Sequence, residues 1–162
     1  MSIVLVRIDD RLIHGQVSVA WGACLSAGRI VLVNDEVAHT EWKRALYSEA
    51  DAMGAAISVL DVEGFGRELA AGAWRREAVI VVVGSPHDAR LALDHGLSIG
   101  SVNVGGMHHA EGKTEILPYV YIDEDDRREL LAIADMGVAL EARDVPQADA
   151  VDLVPLLAER LD

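Results

Sequence analysis

The sequence predicts a doubly wound α/β fold, a mostly parallel open sheet of about seven strands with helices on both faces. Short β-branched runs recur along the chain without polar interruption, as in strands covered on both faces. Stretches with helical spacing separate them, and each ends at glycine or a similar breaker. No linker rich in Pro, Gly or Ser and no internal repeat interrupts the pattern, so residues 1–162 read as one domain.

The first run, 3–6, is Ile-Val-Leu-Val, and a helical stretch follows at 17–25. Runs at 29–33, 56–60 and 78–83 are continuously apolar and read as central strands, with helical stretches at 41–53 and 65–71 between them. The next helix, 88–95, comes just after Pro86, a residue the first turn of a helix accepts. Runs at 101–104, 119–122 and 138–141 extend the sheet; the last two alternate as edge strands do, and a helix at 127–135 lies between them. Right-handed crossovers between such strands place ligand sites outside their carboxyl ends, at a topological switch.

Composition excludes several classes. The 162 residues carry 27 acidic and 14 basic side chains, a formal charge of -13, and Lys43 and Lys113 are the only lysines. Such a surface offers no cationic stripe for nucleic acid or anionic lipid. Cys24 is the single cysteine, so no intramolecular disulfide and no cysteine-based zinc cluster can form, and a reducing compartment follows. The N-terminus lacks a cationic leader, and no apolar run approaches the roughly 20 residues that span a bilayer. A soluble cytoplasmic protein is expected.

Chemistry concentrates in Arg7-Ile8-Asp9-Asp10-Arg11-Leu12-Ile13-His14-Gly15-Gln16-Val17, where an apolar strand gives way to carboxylates, an arginine and a histidine before a glycine opens a helix. The positive end of that helix favours a neutral His14, whose lone pair is a nucleophile. Arg11 can fork two donors onto phosphate oxygens, backbone N–H groups at Gly15 and Gln16 can take others, and Asp9 can fix the imidazole or Arg11. The alternative is a surface salt-bridge cluster of Asp9, Asp10 and Arg11, with His14 merely starting a helix.

This segment, with Trp21 following, resembles the mannose/fructose/sorbose-type IIB component of the bacterial sugar phosphotransferase system. Asn34-Asp35-Glu36-Val37-Ala38 and Ser101-Val102-Asn103-Val104-Gly105-Gly106-Met107 with Gly112-Lys113-Thr114 resemble further family segments, so the likeness covers essentially the whole chain. The resemblance implies a phosphohistidine carrier: a IIA partner phosphorylates His14 at Nδ1, and the group passes to a sugar bound by the membrane IIC/IID subunits, which hold the protein peripherally at the inner membrane. Arg11 matches the family's phosphate-binding arginine. No cofactor and no metal is implied, and a homodimer is left open.

Other residues carry two readings each. Gly105 and Gly106, after a strand, either let amides approach an anion or simply make a turn. Ser85 either offers a hydroxyl to the phosphate or caps a helix. Asp35, after a second strand taken as adjacent to the first, either orients His14 or Arg11 or caps the next helix, and Asp10 supports the cluster. His108 and His109 read as an exposed loop rather than metal ligands. His39, His87 and His95 get no role, and Trp21, Trp42 and Trp74 read as packing residues.

Two rivals remain at this point. A nucleotide-binding Rossmann-like domain fails for want of Gly-x-Gly-x-x-Gly after the first strand, and Gly112-Lys113-Thr114 lacks the earlier glycine of a P-loop. A regulatory reporter of phosphorylation state, with the same fold and histidine but no transport role, is the alternative function.

Overall fold

The computed structural model describes residues 2–161; Met1 and Asp162, the ends of the expected domain, lie outside the described residues. Seven strands form one sheet in the order β3-β2-β4-β1-β5-β8-β9. These are β1 (Ile3–Asp9), β2 (Arg29–Val33), β3 (Ala56–Leu60), β4 (Val79–Val83), β5 (Ser101–Gly106), β8 (Ala139–Ala142) and β9 (Val151–Asp152). All neighbouring pairs are parallel except β8 with β9.

Alternation along the strands builds two cores. Val31 and Val33 of β2, Val79, Val81 and Val83 of β4 and Val6 and Ile8 of β1 pack on one face against α4 (Val62–Ala70), α5 (Pro86–Asp94), α6 (Glu124–Asp135) and α7 (Val154–Leu157). Ile30, Leu32, Ile80 and Val82 point the other way, toward Val17, Trp21 and Val37. That face is covered by a π-helical segment, Gln16–Trp21, which runs into α1 (Gly22–Cys24), and by α2 (Asp35–His39) and α3 (Glu41–Ser48). Five consecutive fully buried residues in β4 explain its unbroken apolar run, since each side chain meets one core or the other.

Caps set the helix starts. Asp61 Oδ1 accepts from Gly64 N, so α4 begins three residues before its periodic stretch. Asp123 and Asp126 form a reciprocal capping box, so α6 starts at Glu124 within a run of charges that hides its periodicity.

Several expectations are corrected. Residues 119–122 do not join the main sheet: β7 (Val120–Ile122) pairs antiparallel with β6 (Thr114–Leu117), and the seventh sheet strand is β9. β8 is not an edge, because β9 covers it. β2 is not adjacent to β1, because β4 lies between them. Gly105 and Gly106 lie inside β5 rather than in a turn after it.

Candidate functional site

β1 ends at the centre of the sheet, where the chain has wound outward to β3 and returns through β4 toward β5. That is the switch at which an α/β sheet exposes its carboxyl ends. Here β1 carries two charges that are wholly buried, Arg7 and Asp9, on the face covered by Trp21.

Arg7 is surrounded. Its Nε and Nη2 donate to Asp9 Oδ2 at 3.3 and 3.1 Å, its Nη1 to Asn103 Oδ1 at 2.7 Å and the Arg143 carbonyl at 2.9 Å, and its Nη2 also to the Asp144 carbonyl at 2.9 Å. Five donated bonds thus meet four acceptor atoms, Asp9 Oδ2 taking two, and use the full capacity of a guanidinium. Its carbon lies 5.5 Å from the centre of the Trp21 ring, whose Nε1 donates to the Asp144 carbonyl. Burial pulls the Arg7 pKa down and the Asp9 charge pulls it back.

Asp9 passes this order on to the loop. Its Oδ2 lies 2.9 Å from His14 Nε2, and its Oδ1 accepts from the Arg11 N–H at 3.1 Å and Arg11 Nε at 3.4 Å. Burial pushes the Asp9 carboxyl up, yet the hydrogen bond and charge of His14, the Arg7 charge and the Arg11 N–H outweigh it and hold it below the ordinary value. An ionised carboxylate only accepts, so Nε2 carries a proton, and in the neutral ring the lone pair is then on Nδ1. Toward Nδ1 points the Gln16 N–H, at a long 3.4 Å. The His14 carbonyl accepts from Val17 and Ser18 N–H, so the imidazole stands at the mouth of the π-helical segment. Leu12 turns the chain there with φ of 61°, a left-handed conformation rare for a branched side chain.

Arg11 is 40% exposed and bridges Asp9 and Gln16, whose Oε1 takes an Nη2 bond at 2.6 Å. It is the exposed cation of the loop, whereas Arg7 is wholly buried. A third cation, Arg143, follows β8 on the same face; its Nε is buried without a partner, and among the described residues it enters no ion pair.

The glycine pair serves this cluster from below. A Cβ on Gly105 would fall 1.8 Å from Arg7 Cζ, and one on Gly106 would fall 3.1 Å from Asp9 Oδ1. Both residues are buried, and their lack of a side chain makes room for the charged pair. Asp10 does not touch His14; its carboxylate holds His108, accepting from the backbone N–H at 2.6 Å and facing Nδ1 at 2.5 Å. His108 is thereby tied to the loop after β1, while His109 stacks edge-on against Tyr121. Ser85 accepts from Asp88 N at 3.1 Å as the N-cap of α5. Asp35 sits beyond β4 and accepts from Val62 N at 2.9 Å, joining α2 to the start of α4, and Asn34 rather than Asp35 caps α2.

A charged chain from a buried arginine through a carboxylate to an imidazole, ending in an open Nδ1, suits transfer of an anionic group. The chain matches the family model described as "PTS system sorbose subfamily IIB component" over residues 3–161. The protein belongs to that family. It is 32% identical to the sorbose-specific EIIB component of Klebsiella pneumoniae over 98% of this chain and 97% of that one. It is 36% identical to the mannose-specific EIIAB component of Escherichia coli K12 over 95% of this chain, and spans 49% of that longer protein. The crystal structure of the IIB domain of the Klebsiella pneumoniae sorbose permease superposes with a TM-score of 0.89 at 32% identity, covering 96% of this chain and 95% of that one. The N-acetylgalactosamine-specific IIB component 1 of Escherichia coli gives 0.84 at 33% identity over 91% and 97%.

As a IIB component of the sorbose/mannose family, the protein is a phosphotransferase-system transferase of sugar transport. Among the described residues no helix is long and apolar enough to cross a membrane, and no group of three or more potential metal ligands gathers.

Sequence reading missed Arg7 and Arg143. The available signal for Arg7 was its position two residues before Asp9 in a strand, which puts both on one face, with a glycine pair in another central strand to receive them.

Proposed function

We propose that the protein, one IIB domain over residues 1–162, is a phosphohistidine carrier. His14 Nδ1 accepts a phosphoryl group from the phosphohistidine of a IIA partner, and the group then passes to a sugar held by membrane IIC/IID subunits during uptake. The activity is that of a protein-Nπ-phosphohistidine–sugar phosphotransferase, with phosphoenolpyruvate as the distant donor. The protein works in the cytoplasm and meets the inner membrane through these partners.

The reading is carried by the 2.9 Å contact of His14 Nε2 with buried Asp9, which occupies that nitrogen and leaves Nδ1, met only by the long Gln16 N–H contact, to attack. The bond from phosphorus to the donor imidazole breaks as the bond to Nδ1 forms, through a loose transition state whose charge lies on the equatorial oxygens. Arg11 can leave Gln16 to pair with those oxygens, and N–H groups at Gly15 and Gln16 add to the field. Asp9 stabilises the imidazole as it gains charge, and holding it in place supplies the orientation term. Partnership with IIA is supported by the EIIAB name of the mannose relative, of whose length this chain covers 49%.

The test is mass spectrometry after incubation with phosphoenolpyruvate, the general phosphotransfer proteins and a IIA domain, at neutral and acidic pH. One acid-labile phosphoryl group is expected on the native protein and none on His14→Ala. A fully phosphorylated His14→Ala protein refutes the assignment. A phosphorylated protein that delivers nothing to sugar with its IIC/IID subunits present would favour the regulatory reporter.

A further inference from the structure

Beside the His14 loop lies a cavity whose lining includes Asp10 and Leu12 of that loop but neither His14 nor Arg11. Its accessible space is about 360 Å³, and it opens between the carboxyl ends of β2 and β4 and the helix α3. Gly84 forms its floor: a Cβ there would meet Leu12 Cδ2 at 3.1 Å and Asn34 Nδ2 at 3.6 Å, so the absent side chain is what keeps the floor open.

The lining decides the ligand chemistry. Asp10, Glu36 and Asp88 stand against one cation, Lys43, which is itself bonded to Glu36. Phosphate or any other anion is thereby disfavoured. Polar groups converge on the floor: Asn34 has its Oδ1 spent on Val37 N at 3.0 Å and its Nδ2 turned toward Gly84, and Ser85 and Asp88 lie beside it. The wall is aromatic. Trp42 is 66% exposed, an unusual state for the largest apolar side chain, and Lys43 Nζ lies 5.6 Å from the centre of its ring. Tyr47 lines the same wall.

A largely exposed indole, with the Lys43 ammonium over one face, beside an amide, a hydroxyl and a carboxylate is a combination that binds polyhydroxyl rings: apolar C–H groups lie on the aromatic ring while hydroxyls pair with fixed donors and acceptors. The volume suits one small ring, and the position is the crevice that α/β sheets use for ligands. We infer that this cavity binds a neutral monosaccharide, stacked on Trp42 and hydrogen-bonded to Asn34, Ser85 and Asp88. The inference goes beyond the carrier reading and requires nothing of it, since binding here involves neither His14 nor a phosphoryl group. Its consequence is a second contact with carbohydrate, against Asp10 and Leu12 of the phosphorylation loop.

The test is titration of the ¹⁵N-labelled full chain, followed by NMR, with D-mannose, D-fructose, L-sorbose and N-acetyl-D-galactosamine separately, and with glycerol and inorganic phosphate as controls. At least one sugar is expected to shift the Trp42 indole N–H and the Asn34, Gly84 and Ser85 amides to saturation, with Kd on the order of 1 mM. Trp42→Ala removes the stacking face and Gly84→Val fills the floor; each should weaken that binding at least about tenfold, a change of about 1.4 kcal/mol. His14→Ala should bind as the native protein does, which separates this result from the fate of the carrier reading. No saturating shift with any of the four sugars up to about 100 mM overturns the inference. So does equal binding by Trp42→Ala with its remaining spectrum native, or the same shifts with phosphate or glycerol.

Discussion

Replacing Gly105 with alanine tests whether the buried charge cluster is as constrained as its hydrogen bonds imply. The new methyl group would lie 1.8 Å from Arg7 Cζ and 2.1 Å from both Nη atoms, whereas ordinary contact starts at 3.4 Å. Arg7 cannot retreat by that much and keep its bonds, because all five N–H donors are engaged and its side chain is wholly buried. Elsewhere in a strand the same change would help by about 0.5–1 kcal/mol through lost chain entropy. Here it should cost about 3 kcal/mol or more, the penalty for uncoupling a buried ion pair. For a chain of this size that is a fall in Tm of about 6–12 °C, read by calorimetry or circular dichroism. Gly100→Ala, with nothing within 4 Å of the new Cβ, is the control. In an Arg7→Met background the cost of Gly105→Ala should largely vanish, since the two residues share one space. Gly105→Ala with native Tm, or an undiminished cost in the Arg7→Met background, would refute the reasoning.

Asp9 is held below the ordinary carboxylate value, so its contribution to stability is present above that value and is lost as pH falls through its own folded value. Chemical denaturation across acid pH should show a steeper loss in the native protein than in Asp9→Asn, and parallel curves would contradict the assignment. Arg11→Lys keeps a charge but loses the fork that meets Asp9 and Gln16, so the rate of His14 phosphorylation should fall at least about tenfold in a quenched-flow assay, with Tm little changed. Ser85→Ala removes the cap of α5 and should cost about 1 kcal/mol, or about 2–4 °C in Tm, while phosphorylation persists; lost phosphorylation at native Tm would restore a phosphate-binding role. His108→Ala releases an exposed tie to Asp10, so hydrogen exchange in residues 107–113 should quicken while global stability moves by no more than about 1 kcal/mol.

The elements most legible from sequence were those whose environment is uniform. β2 and β3 match their apolar runs residue for residue because both ends of each meet polar or glycine-containing turns. β1 runs three residues beyond its apolar run, because Arg7 and Asp9 read as loop residues until their pairing makes them tolerable in the core. The first helix was placed correctly but not typed: nothing in Gln16–Trp21 distinguishes five-residue from four-residue spacing. β9 has two residues, too few for any periodicity to register. Strand order was the larger gap. Asp35 follows β2 closely in sequence to β1, yet β4 enters between them from far along the chain, and only long-range pairing decides that. The proximity of His14, Asp9 and Arg11 was legible because one short segment carries all three. Arg143 arrives from a distant strand and left no local mark.

The brevity of β9 also bears on how this chain keeps its own company. A sheet ending in a long flat strand offers a row of free amides and carbonyls to any passing extended segment. Here that border is Val151 and Asp152, and the Asp152 carboxylate is already turned back onto Val154 N at 3.1 Å. Another polypeptide annealing to this side would gain a bond or two beside an anion, too little to nucleate a fibre or a strand-swapped pair.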